Sequence, residues 1–210
     1  MLLKKDSKIF ISGHKGMVGS AIYNFFKKKG YKNLITIEKK KLNLLNQTKT
    51  QNYLKKIKPD FVIIASAKVG GILANDNFSA DFIYQNLMIQ TNLIHSSFLA
   101  GVKNLIFLGS SCIYPKYAKQ PLKEEYLLTG KLEPTNESYA IAKIAGLKMC
   151  ESYNKQYNLN YTCLMPTNLY GPNDNYDLNT SHFFPALIKK IYYAKKNKKN
   201  FINLWGNGKS

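Results

Sequence analysis

Short apolar runs and longer stretches of helical period alternate along this chain. KIFIS (8–12) predicts a strand, and MVGSAIYNFFKKKG (17–30) a helix that stops at Gly30. NLITI (33–37) predicts a second strand, followed by the helix NQTKTQNYLKKI (46–57) with Asn46 as its N-cap. DFVIIA (60–65) is a third strand. ADFIYQNLMIQTNLIHSSFLAG (80–101) reads as a helix with Ile83, Leu87, Ile94 and Phe98 on its core stripe, closed by Gly101. NLIFLG (104–109) is a fourth strand, NESYAIAKIAGLKMCESYNKQY (136–157) a long helix capped by Asn136, and NYTCLMP (160–166) a fifth strand.

Strands that are apolar throughout and separated by helices need cover on both faces, which a parallel sheet provides. The expected class is α/β, a doubly wound parallel sheet of Rossmann type. Such sheets bind ligands beyond the C-terminal ends of their strands. The loops ISGHKG, GSSC and PTNLYGP all fall at that edge. There is no internal repeat, no low-complexity linker and no domain boundary before about Gly171.

Composition trims the functional possibilities. No apolar run is long enough to span a bilayer, and MLLKKDSK lacks the apolar core of a signal peptide, so a cytoplasmic protein without membrane contact is expected. Cys112, Cys150 and Cys163 form no CxxC pair, which favours a reducing compartment over a disulfide framework or a metal site. The net charge of +19 invites nucleic acid as a partner. However, all 31 basic residues are lysine, and runs such as Lys27–Lys29, Lys39–Lys41 and KKNKKN (195–200) fall at expected helix ends and loops. Without arginine for bidentate base contacts, or any recognition motif, nucleic acid is not the expected partner.

ISGHKGMVGSA places Gly13, Gly16 and Gly19 in a G-x-x-G-x-x-G spacing between a strand and a helix. That context suits a dinucleotide: a tight turn at Gly13, backbone approach to a pyrophosphate at Gly16, and helix–strand contact at Gly19. The helix N-terminus adds open N–H groups for phosphate. His14 reads as a turn residue. Glu38, ending the second strand, suits the ribose hydroxyl of NAD, whereas Lys15 with Lys39, Lys40 and Lys41 favours the extra phosphate of NADP.

Tyr139 and Lys143 stand one helical turn apart, so the ammonium is expected to lower the phenol's pKa. Y-x-x-x-K also occurs at Tyr23/Lys27 and Tyr192/Lys196, but only Tyr139 follows a strand-end serine, Ser110, within one loop. This combination resembles the extended short-chain dehydrogenase/reductase family. The strings GHKGMVGSAI, AKVGGI, ADFIYQN, LGSSCIYPK, LEPTNESYAIAKIAG and MPTNLYGPNDN narrow the likeness to its epimerase–reductases of GDP-linked keto-deoxy sugars, along essentially the whole chain.

The resemblance implies an NADP(H)-dependent enzyme with a GDP-sugar substrate, working as a homodimer that pairs helices including 80–101 and 136–157. It implies a base at Cys112 and an acid at His182 for two epimerisations flanking a ketone. Ser110 and Tyr139 would hold the keto oxygen, and Tyr139 would protonate the alkoxide as hydride arrives. Lys143 would bind the cofactor ribose and tune Tyr139. Cofactor contacts carry over to Gly13, His14, Lys15, Gly16, Met17, Val18, Gly19, Lys39, Leu108, Gly109, Ser110, Ser111, Lys143, Pro166, Thr167, Asn168, Leu169 and His182; substrate contacts carry over to Lys190 and Trp205. By composition alone Cys112 is a turn residue and His182 a helix cap; Cys150, Cys163 and His95 stay structural.

Two departures from the family pattern stand out. Lys190 replaces an arginine that grips the diphosphate, keeping charge but losing the fork. The family pattern also continues past LWGNGKS through a second arginine. Residues 1–170 are therefore expected to be the cofactor domain, and 171–210 only the beginning of a smaller substrate lobe. Two rivals remain: another nucleotide-sugar epimerase or dehydratase of the family, and a catalytically silent dinucleotide-binding module.

Overall fold

Strand β1 (Lys8–Ser12) is apolar on both faces because it runs through the middle of the sheet. The computed structural model describes residues 3–204. β1 pairs in parallel with β2 (Asn33–Ile35) on one side and β3 (Phe61–Ile64) on the other. β4 (Asn104–Leu108) and β5 (Asn160–Leu164) extend the sheet, giving the order β2-β1-β3-β4-β5. All pairings are parallel, as the apolar strands require.

Alternation along β1 divides the core between two faces. Ile9 and Ile11 join Ile63 under Ile22 and Phe26 of α1 (Met17–Lys28). Phe10 joins Val62, Ile64, Leu105 and Phe107 under α2 (Gln47–Ile57), α4 (Ser79–Leu99) and α5 (Glu137–Tyr157). The doubly wound expectation is met.

Several local expectations are corrected. β2 ends at Ile35 rather than Ile37, so Glu38 lies beyond the strand, in the turn that follows it. Asn46 caps α2 through its side chain, accepting from the Lys49 N–H at 2.8 Å. Asn136 stands at the start of α5 without such a bond, and its buried side-chain oxygen Oδ1 has no partner. On α4, Ile94 is fully buried as expected, but Ile83, Leu87 and Phe98 are only half-buried; the core line runs through Phe82, Asn86, Gln90, Leu93 and Ser97. Polar side chains occupy the core face because backbone groups wait for them. Asn86 receives the Lys68 N–H and donates to the Lys68 and Phe82 carbonyls, and Gln90 donates to the Ala142 carbonyl of α5. The short α3 (Ile72–Asn77) and the terminal α6 (Phe183–Lys196) complete the described helices.

Candidate functional site at the strand ends

The glycine loop is built by close approach. Gly13 has φ +77°, and a Cβ there would meet the Ala65 and Ser66 backbone at 2.7 Å. A Cβ on Gly19 would drive into the Gly13 carbonyl, so α1 sits hard against the turn. Gly16 N-caps α1 without any side-chain bond, leaving the first N–H groups of the helix open towards the loop. This cradle fits a pyrophosphate. Met17 and Val18 line a cavity of about 290 Å³ with Leu169 from the loop after β5, joining two predicted cofactor segments. Lys15, by contrast, forms an ion pair with Glu38 at 2.8 Å, which lowers the Glu38 carboxyl through hydrogen bond and charge. Lys39 is exposed in the turn after β2, and His14 is half-buried in the glycine loop.

β4 delivers the second cluster. After Leu108, Gly109 packs so tightly that a Cβ would strike the Met165 sulfur. The Gly109 and Ser111 N–H groups donate to the Leu164 and Pro166 carbonyls at 2.8 and 3.2 Å, zipping the ends of β4 and β5 together. Ser110 opens a short 3-10 turn, Ser111–Ile113, and its hydroxyl accepts from the Cys112 N–H at 3.3 Å. Ile113 anchors that turn into Ile144 and Leu147 of α5. The anchoring presents Ser110 and Cys112 to Tyr139, with both side chains near enough to act on the acidity of the phenol.

The expected tuning of Tyr139 by Lys143 is not what the fold produces. Burial, then Cys112, push the phenol well above the ordinary tyrosine range, and only the neighbouring Ser110 hydroxyl opposes them. Lys143 donates instead to the Leu108 carbonyl at 2.7 Å, with its ammonium 4.7 Å from the Phe107 ring centre. Burial pushes that ammonium down to about 8. The other thiols keep their structural reading, since Cys150 is buried in the core between α5 and the sheet and Cys163 packs against that same cluster. His95 bonds the Tyr153 hydroxyl at 2.7 Å.

The remaining predicted residues lie further along the same edge. Thr167, Asn168 and Leu169 are exposed in the loop after β5. His182 is the exposed N-cap residue of α6, without a side-chain cap bond. Lys190 lies on α6 and donates to the Asn203 carbonyl at 2.8 Å. Trp205 lies outside the described residues. Sequence reasoning missed Phe82, whose buried ring meets Tyr139 edge-on at 6.5 Å, and α3 with its glycine entry. The strings AKVGGI and ADFIYQN contained both, but their hydrophobic pattern carried no role.

The model of the NAD dependent epimerase/dehydratase family matches residues 9–210. The chain belongs to that family. It is 55% identical over 208 residues to the GDP-L-fucose synthase of Sinorhizobium fredii (strain NBRC 101917 / NGR234), covering 99% of this chain and 66% of the relative. It is 51% identical over 201 residues to the GDP-L-fucose synthase of Escherichia coli (strain K12), covering 96% of this chain and 63% of that one. The chain thus spans about two thirds of the length of the curated relatives it matches. Among solved structures, a GDP-L-fucose synthetase from Naegleria fowleri bound to NADP superposes with a TM-score of 0.89 at 30% identity, over 99% of this chain and 68% of that one. Among the described residues no helix is long and apolar enough to cross a membrane, and no group of side chains could hold a metal ion.

Proposed function

We propose that the chain carries the cofactor domain and proton-transfer residues of an NADPH-dependent enzyme that epimerises GDP-4-keto-6-deoxy-D-mannose at C3 and C5 and reduces C4, yielding GDP-L-fucose. The observation that carries this reading is the seating of Ser110 and Cys112 against the Tyr139 phenol at the end of β4. A reductase needs only the hydroxyls; a thiol in the same cluster adds a base for carbons beside the ketone. Relatives more than half identical to this chain, named for that product, support the same reading.

NADPH, when bound, supplies hydride to C4. The glycine loop and the start of α1 would hold its pyrophosphate, with Lys15 and Lys39 on the side of the 2′-phosphate. Lys143, Ser111 and Pro166–Leu169 would hold the nicotinamide half. Cys112 takes the proton from the carbon beside the ketone while Ser110 and Tyr139 donate to the keto oxygen, and His182 returns a proton on the opposite face. Because burial keeps the Tyr139 phenol protonated, it serves as donor throughout and finally protonates the C4 alkoxide. Residues 1–170 form the cofactor domain and 171–210 begin the substrate lobe, where Lys190 and Trp205 contact the GDP-sugar. The reading includes a homodimer paired through α4 and α5, a cytoplasmic setting, and no part for nucleic acid or membrane.

The test mixes the chain with NADPH and the keto sugar, following absorbance and product. One NADPH consumed per GDP-L-fucose formed would mean that these residues carry the whole chemistry, and NADPH bound without turnover would mean a cofactor domain that needs more of the substrate lobe. Epimerised ketone without NADPH consumption would indicate a non-reducing epimerase, and failure to bind NADPH would overturn the reading altogether.

A further inference from the structure

Gly71 lies at a crowded joint between the two sides of the site. Its N–H donates to the Thr180 carbonyl at 2.9 Å, and a Cβ there would strike the Ser181 carbonyl. Its backbone is ordinary, with φ −67° and ψ −179°, so the need for glycine is one of space rather than strain. Asn75, buried one turn on in α3, donates to the Gly70 and Gly71 carbonyls at 2.7 and 3.1 Å and fixes the loop from behind.

On one side of this joint lies His182. The residues before it form a self-braced turn: the Asp177 carboxylate accepts from the Asn179 and Thr180 N–H groups and the Thr180 hydroxyl, and the Asp177 carbonyl accepts from the Ser181 N–H. That turn docks on Gly71, and the next residue is His182. On the other side lies Tyr139. Gly70 abuts the Phe82 ring, which meets Tyr139, and α3 packs on the turn Pro134–Asn136 that leads into α5.

We infer that Gly71 is a positioning residue: the Gly71–Asn75 joint sets the His182 imidazole relative to Cys112 and Tyr139. The inference rests on the reading of the site proposed above. In it, Cys112 takes a proton from the carbon beside the ketone, and the His182 imidazolium gives one to the other face and becomes neutral. With His182 displaced, Cys112 can only return a proton to the face it came from. Exchange with solvent then continues while inversion fails.

Two measurements test this. The chain has only three histidines, His14, His95 and His182, so its ring signals in NMR of histidine-labelled protein are few, and His182→Gln assigns one of them. Gly71→Ala should move the His182 signal and leave that of His95, held on Tyr153, in place; Asn75→Ala, which adds no atom, should do the same if Gly71→Ala folds poorly. An unmoved His182 signal in both variants overturns the inference. In D₂O with the keto sugar, Gly71→Ala should retain deuterium uptake but lose inversion on the order of a hundredfold. The double variant with His182→Gln should invert no more slowly than His182→Gln alone. Multiplied losses would make Gly71 merely structural and overturn the inference. If His182→Gln inverts normally, the site reading itself fails, and Gly71 has no role in the reaction whatever the spectra show.

Discussion

The Lys143 ammonium points at the Leu108 carbonyl, 2.7 Å away, and stands 5.7 Å from the centre of the Tyr139 ring. The lysine is spent on the end of β4 rather than on the phenol one helical turn before it. Burial disfavours its charge, so the folded chain releases that proton near pH 8, where an unfolded lysine still holds it.

Lys143→Met should therefore stabilise the fold most at low pH. Below about pH 8 both states carry the charge and the penalty is constant. Between there and the ordinary lysine value of about 10.4, only the unfolded state binds the proton, so wild-type stability rises with pH. The advantage of the variant should shrink by about 2 kcal/mol between pH 7 and 9.5, as urea unfolding at each pH would read. A difference independent of pH would mean that Lys143 keeps its charge in the fold throughout this range, as a solvated lysine does.

Glu38→Gln should shift coenzyme preference. Glu38 holds Lys15 in an exposed pair, and releasing it leaves that ammonium for a ribose phosphate while removing a carboxylate suited to a ribose hydroxyl. NADPH affinity should rise severalfold relative to NADH, checked by fluorescence titration, with no change in melting temperature because exposed pairs contribute little.

The sheet and the glycine cradle were legible because each depends on a local signal. Apolar runs such as DFVIIA have no other use than a covered strand, and Gly13 and Gly19 stand where any side chain would collide with backbone. α4 was harder. Asn86, Gln90 and Ser97 sit on its core face, so hydrophobic periodicity pointed to Ile83 and Leu87 instead. α3 has six residues and no amphipathic repeat, too little for period to register. The site was half legible. The spacing of Tyr139 and Lys143 fixes a shared helix face, but where a four-carbon side chain ends depends on which carbonyl lies within reach.

Asn86→Ala should cost about 2–3 kcal/mol in chemical unfolding, because it strands the Lys68 N–H and carbonyl that only a side-chain amide satisfies so fully. Asn86→Asp keeps the acceptor for the Lys68 N–H and should recover part of that loss.

Gly19→Ala should be worse than its single methyl suggests. With the Gly13 carbonyl in the way, α1 must lift from the turn, at a cost of roughly 1–3 kcal/mol. NADPH binding should fall further than stability does, since the lifted helix takes its open N–H groups with it.

The position of β1 inside the sheet also governs the order in which the chain can be assembled as it is made. Phe10 acquires its neighbour Ile35 early, but its other neighbour, Val62, emerges from the ribosome only some fifty residues after it. Throughout that interval KIFIS presents an apolar strand with one hydrogen-bonding edge open, the arrangement most prone to pairing with another chain. The hazard to this protein's yield thus falls early in synthesis, before any of the residues at the β4 end of its site exist.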